Sequence, residues 1–396
     1  MAGGALEGIR VVDLSSVVVG PVTTMCLADH GADVIKVEAP AGDLLRKLGG
    51  TSRTGQLSPK FIHLNRNKRS IVLDLKQPGP MAALRKLLAT ADVCVSNMRP
   101  KAMARLGLGV EQLRAINPRM IYCGLVGFGS GGRYAPKPAY DGIIQGMGGL
   151  TAIFDKADGQ PRFLPMTIAD HTVGLIAAQM IMLALYKRAT TGVAEAIEVP
   201  MFENMAAFVL SEHLGQLSYA PGRGEPGDMR LLDRGARPIP TKDGHICISA
   251  NTDAQAFALF RAIGRPELCD DPRFNSIKAR YDNVSEYFQL REAALREKTT
   301  AEWVAIFEAA DVPAGPSHTL ESLFADEHLS DVGMLQAREH PEEGTLIDIG
   351  LPNRSDGLAR TDYRLPPSPG EHTREILAEL GYDEGDMGEL AGAGPS

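Results

Sequence analysis

The chain has 396 residues, 44% hydrophobic and 23% charged, a globular profile too long for one ordinary domain and natural for two. A formal net charge of -8 argues against the basic stripe that nucleic-acid binding needs, while leaving room for local phosphate pockets. The five cysteines, Cys26, Cys94, Cys123, Cys247 and Cys269, are scattered and form no CxxC pair, which points to small core residues in a reducing compartment rather than a disulfide framework.

The N-terminal MAGGALEGIR lacks the basic and apolar regions of a signal peptide, so the expected location is cytoplasmic. From there the chain alternates. Ile9–Leu14 reads as a strand and Val22–His30 as a helix stopped by Gly31. Val34–Glu38 is a second strand, and Phe61–Leu64 with Ser70–Leu75 reads as an extended pair. Met81–Ala89 is helical, and Asp92–Ser96 and Met120–Val126 are further strands. Strand–helix repetition predicts a parallel sheet covered by helices, an α/β fold. A helix follows near 170–187, apolar on both faces and so expected to be buried all round. Its apolar run, Val173–Tyr186, is interrupted by Gln179 and falls short of the roughly 20 residues of a bilayer span. Glu195–Val199 is placed back in the sheet.

The character then changes. Tyr219–Asp233 is rich in Gly and Pro and reads as a linker. Ile239–Ser249 predicts a hairpin turning at Lys242–Gly244, and helices are expected near 253–263, 284–297 and 301–310. Residues 226–330 are therefore expected to form a second, smaller α+β domain. Beyond it, Thr345–Ile349 reads as a strand and Thr373–Leu380 as a helix.

Gly127, Gly129 and Gly132 fit GxGxxG after a strand, which raises an NAD-binding reading. The residues that follow, RYAPKPAYD, contain two prolines and no helix start, so no helix terminus would face a pyrophosphate. Glu38 ends the second strand where a ribose-binding acid would sit, and is equally readable as a solvated strand-end acid.

The opening VVDLSSVVVGPVTTMCLADHGADVIKVEAP resembles the start of the family III CoA-transferases, the CaiB/BaiF family. The resemblance continues in order through Gly42–Arg46, Leu64–Lys76, Ser96–Gly109, Pro138–Leu150, Ile168–Asp170 and Val312–Pro316, nearly the whole chain. It implies a large domain with a Rossmann-like sheet over 1–200, completed by 335–396. A linker at 201–225 and a small α+β domain at 226–330 follow from it, in an interlocked homodimer. It implies no permanently bound cofactor, no metal and no membrane, with an acyl-CoA and a free carboxylic acid as the partners.

An aspartate opening a helix reads as an N-cap or as a nucleophile, and the two are compatible, since a helix N-terminus favours an ionised carboxylate. The resemblance assigns Asp170 as the catalytic residue, which would carry CoA as a thioester. It places CoA against Val17, Val18 and Val19, near Leu73 and Lys76, and along Asn97, Met98, Arg105, Tyr140 and Met201. Lys76 and Arg105 would meet the phosphates. His171 is expected to be structural, because successive helix side chains diverge. Two positions depart from the family. Ala39 stands where some relatives carry an arginine, and Ser249–Gln255 lacks the glycines of formyl- and oxalyl-using relatives.

The nearest alternative is an α-methylacyl-CoA racemase of the same superfamily. That activity needs a histidine where Tyr140 stands, and a phenol of ordinary pKa about 10 is a poor base. Alternatives of other classes are an NAD-dependent dehydrogenase and a non-catalytic acyl-CoA-binding protein.

Overall fold

The computed structural model describes residues 4–353 and 364–391 and divides into two compact units. The first comprises residues 1–148, 164–207 and 327–396; the second comprises 149–163 and 208–326. Residues 149–163 therefore belong with the middle of the chain.

The first unit is a doubly wound sheet. Its elements run β1 (Arg10–Asp13), α1 (Val19–Ala28), β2 (Asp33–Glu38), α2 (Pro59–Leu64), β3 (Lys68–Val72), α3 (Pro78–Ala89), β4 (Val93–Ser96), α4 (Pro100–Arg105), α5 (Val110–Ile116), β5 (Ile121–Val126) and α6 (Asp141–Met147). After α7 (Leu150–Asp158), which lies in the second unit, come α8 (Ile168–Thr191), β6 (Ala196–Pro200) and α9 (Met201–His213), which passes into the second unit at Phe208. The six strands are all parallel, in the order β3-β2-β1-β4-β5-β6. That order reverses between β1 and β4, and such a switch point opens a crevice at the carboxyl ends of the strands. The Val and Ile runs read as strands are the buried centre of this sheet: Val11, Val12, Val34, Ile35, Val93 and Ile121 are fully enclosed.

Three expectations are corrected. Phe61–Leu64 is helical, because Ser58 caps the segment through its hydroxyl on the Phe61 amide and Pro59 supplies the first-turn φ. Residues 201–213, expected to begin a linker, form α9. Helix α8 is not buried all round: Val173, Ala177, Ile181 and Ala184 are enclosed, whereas Leu175, Leu183 and Tyr186 are 58%, 54% and 70% exposed. With 24 residues, α8 is also long and apolar enough by composition to cross a membrane. In this fold it packs on α1, β5 and β6, and Arg188 near its end binds Asp92 at 2.8 Å.

The second unit continues through α10 (Met229–Leu232), β7 (Ile239–Pro240), β8 (His245–Ile248), α11 (Asp253–Ala262), α12 (Ile277–Asp282), α13 (Val284–Leu295), α14 (Thr300–Ala309), β9 (Ala314–Pro316) and α15 (Leu320–Phe324). Strands β7, β8 and β9 form an antiparallel sheet. Its core is aromatic, built on Phe260, Phe274, Tyr287, Trp303 and Phe307. The chain then returns to the first unit with α16 (Glu327–Asp331), the hairpin β10 (Leu335–His340) and β11 (Gly344–Ile349), α17 (Thr373–Glu379) and α18 (Glu384–Ala391). Helix α17 packs on β3, where the nearly buried Arg69 binds Glu375 at 2.8 Å and Glu379 at 2.5 Å.

Candidate active site

The loop after β1 lies at the switch point. Val17 there has φ +68°, a left-handed conformation that costs a β-branched residue on the order of 1–3 kcal/mol. Its surroundings hold it. The Val17 amide donates to Asp43 Oδ1 at 3.0 Å, and Asn97 grips Ser16 from both sides, accepting from its amide at 3.1 Å and donating to its carbonyl at 2.8 Å. Beneath the loop is a buried charge lattice. Lys36 pairs with Asp43 at 2.8 Å and donates to the Ser15 carbonyl at 3.0 Å. Lys68 pairs with Asp13 at 3.3 Å, and Asp13 also accepts from Thr24 at 2.7 Å and from Ser15. Asp13 desolvates on burial, yet its two lysines and two hydroxyls hold its carboxyl down at about 2. A fixed loop over paired charges is the pre-organised backbone that a ligand site requires.

Helix α8 meets this loop through Gly174. A Cβ there would stand 2.8 Å from the Val19 carbonyl oxygen and 2.8 Å from a Val22 methyl, so only glycine permits the approach. Thr23 Oγ1 adds a hydrogen bond to the Gly174 carbonyl at 3.1 Å. Asp170 lies one turn earlier on the same face of α8.

Asp170 is the third residue of α8, and the N-cap is Thr167, whose side chain makes no capping bond. The cap comes from Asp141 at the start of α6. Its Oδ2 accepts from the Ala169 amide at 2.9 Å and the Asp170 amide at 3.1 Å, while Oδ1 accepts from Gln145 at 2.6 Å. Gln145 also receives the Leu164 amide at 2.9 Å, fixing the approach to α8. The Asp170 side chain accepts no hydrogen bond among the described residues. Burial, reinforced by the Asp141 charge and opposed by Lys60, pushes its pKa up to about 7. This corrects the expectation that the helix terminus keeps it strongly ionised: a second carboxylate already occupies that terminus. Burial likewise lowers His171, with Lys60 adding to the effect, which keeps its imidazole neutral at neutral pH.

The remaining sequence candidates fall in different settings. Val18 and Val19 are buried beside the loop, and Met98 is half-buried after β4. Leu73 is enclosed in the main core, and Met201 is also buried. Lys76 and Arg105 are exposed, and Tyr140 is 74% exposed as the residue preceding α6. Asp141, Lys60 and Asp43 were not singled out from sequence. Asp141 acts on α8 from 29 positions away, a relation no local pattern encodes.

The glycine-rich motif is closed to a dinucleotide. The Gly129 and Ser130 amides donate to Glu203 at 2.9 Å and Glu198 at 2.8 Å, and no helix begins before Asp141. Glu38 is committed as well, in a buried pair with Arg46 at 2.6 Å and a hydrogen bond from Ser70 at 2.8 Å.

The first unit thus combines a Rossmann-order sheet, a rigid loop at its switch point and a half-buried carboxyl near the start of α8, the architecture of an α/β enzyme. The chain matches the CoA-transferase family III over residues 6–373. It is 33% identical over 394 residues to the succinyl-CoA:glutarate CoA-transferase of Mus musculus, covering 98% of this chain and 89% of the relative. It is 34% identical over 382 residues to the succinate–glutarate CoA-transferase of Agrobacterium fabrum, covering 95% of each. The crystal structure of a CaiB/BaiF family protein from Brucella suis superposes with a TM-score of 0.80 at 31% identity, covering 96% of this chain and 100% of that one. The chain belongs to CoA-transferase family III and is a CoA-transferase.

Proposed function

We propose that the enzyme moves CoA between an acyl-CoA and a free carboxylic acid through Asp170 as covalent carrier. The observation that carries this reading is the Asp170 carboxyl itself, unbonded and partly desolvated, one turn before the Gly174 crossing of α8 with α1. Its carboxylate attacks the thioester carbonyl and expels CoA thiolate, leaving a mixed anhydride. The thiolate attacks the aspartyl carbonyl of that anhydride, releasing the first acid as its carboxylate and leaving an aspartyl-CoA thioester. The second acid repeats the two steps in reverse and departs as the new thioester. One thioester bond is conserved, so no outside energy source enters. Val17, Val18 and Val19 contribute to the CoA groove with Leu73, Asn97, Met98, Tyr140 and Met201, while Lys76 and Arg105 serve the phosphates. CoA is substrate, not a resident cofactor. Succinyl-CoA with glutarate is the first donor–acceptor pair to test, because relatives carrying that name align over nearly the full chain.

The racemase reading makes an opposite prediction. Tyr140 is exposed and offers no base, so a 2-methylacyl-CoA incubated in heavy water without an acceptor acid is expected to keep its α-hydrogen. Rapid deuterium uptake, followed by mass spectrometry, would reassign the enzyme.

The exposed apolar face of α8, with Leu175, Leu183 and Tyr186, supports the homodimer, in which the subunits interlock. Sedimentation is expected to show one dimeric species that does not dissociate on dilution without unfolding. A reversible equilibrium with folded monomer would contradict it. We propose a cytoplasmic location for the enzyme.

A further inference from the structure

The second unit contains a cavity of about 440 Å³, within the range of small-molecule sites. Among its lining residues are four arginines, Arg230, Arg237, Arg280 and Arg291, and no acidic residue. Two of these guanidiniums are occupied. Arg280 donates to the Phe274 carbonyl at 2.9 Å and to Asp253 at 2.7 Å, and Arg237 pairs with Glu292 at 3.0 Å.

Arg291, on α13, differs. It is only 7% exposed, yet it pairs with no carboxylate among the described residues, and its Nε is buried without a hydrogen-bond partner. The buried Tyr287 hydroxyl beside it is a weak neutral partner that completes no hydrogen bond of normal geometry. The guanidinium carbon stands 5.2 Å and 4.9 Å from the centroids of the Tyr287 and Phe288 rings, which supply cation–π attraction but no counter-charge. Burial lowers the Arg291 pKa, and Tyr287 offsets only part of that effect. A desolvated guanidinium with no carboxylate partner is costly to keep, and its two Nη groups match the two oxygens of a carboxylate end-on.

We propose that this cavity binds a small organic carboxylate, its carboxylate forked on Arg291 and its apolar body lying against Ile248, Ile277 and the Tyr287 and Phe288 rings. A carboxylate suits the site better than a phosphate dianion, because the buried wall offers one uncommitted guanidinium. The site lies wholly within the second unit, includes no group used in acyl transfer, and does not depend on that reading.

Calorimetric titration of the full chain with benzoate, adipate and inorganic phosphate tests it. Benzoate and adipate are expected to bind saturably, one per chain, and equally well in Asp170→Ala. Arg291→Gln is expected to weaken binding by about tenfold or more. It is also expected to melt no lower than the wild type, since an unpaired buried charge is removed. Ile277→Glu alters a residue that is 57% exposed, so it is expected to fold normally while repelling the ligand. Absence of saturable binding by either carboxylate, phosphate binding as tight as benzoate, binding that survives both Arg291→Gln and Ile277→Glu, or loss of binding in Asp170→Ala would each overturn the proposal.

Discussion

Asp170→Ala is expected to retain its fold and to lose turnover by about 10⁴-fold or more, the scale seen when a covalent nucleophile is removed. The wild-type protein, incubated with an acyl-CoA and quenched, should carry a CoA adduct sensitive to hydroxylamine, within the peptide that includes Asp170. The variant should carry none. The folded state has little reason to suffer: the cap on α8 comes from Asp141 through the Ala169 and Asp170 amides, and alanine keeps both amides. Full turnover by the variant, or an adduct on another peptide, would sink the carrier mechanism.

The second large effect is on pH. The Asp170 carboxyl is raised from its ordinary 3.8 to about 7, first by burial and then by the Asp141 charge. Its nucleophilic form is therefore half populated near neutrality, and single-turnover adduct formation is expected to rise with pH through about 7 and level off above. Asp141→Asn removes the like charge while keeping an acceptor oxygen, so it should move that midpoint down only part of the way. Stability follows with the opposite sign. The unfolded chain ionises this carboxyl near 3.8 and the fold resists doing so until about 7. The cost is absent below pH 4, grows between the two values, and is fully present above 7, up to about 4 kcal/mol. Asp170→Asn should raise the thermal midpoint at pH 8 more than at pH 4. A flat rate from about pH 5 to about pH 9, with equal stabilisation at both ends, would remove the perturbed carboxyl from the mechanism.

The parallel sheet was legible because Val and Ile runs such as Val34–Val37 cannot sit elsewhere, and because turns and helices separate them regularly. The short helix at Pro59–Leu64 was not, since four residues of apolar pattern do not distinguish a strand from one helical turn. What decides it is the Ser58 hydroxyl at the turn before. The apolar character of α8 was visible, but its open side was not: composition tells what wants burial, not whether a partner is present in the same chain. Asp170 was singled out only through resemblance, and its ionisation was misjudged because Asp141 reaches the same helix end through tertiary folding. Arg291 gave no signal at all. An arginine in a helix is ordinary until the structure shows it without a carboxylate.

The discontinuity of the first unit sets an order in time. Strand β3 is made early, yet Arg69 waits for Glu375 and Glu379, and the Ser70 carbonyl for the His372 amide, roughly three hundred residues later. Nearly all of the second unit is synthesised in that interval and contains its own core from residues 239 to 312. Since domains tend to fold as units during synthesis, the middle of the polypeptide is the first part able to finish. The sheet laid down first must persist incompletely covered until α17 leaves the ribosome. A chain stopped before residue 373 is thus damaged at β3, one of its early strands, rather than at its newest end.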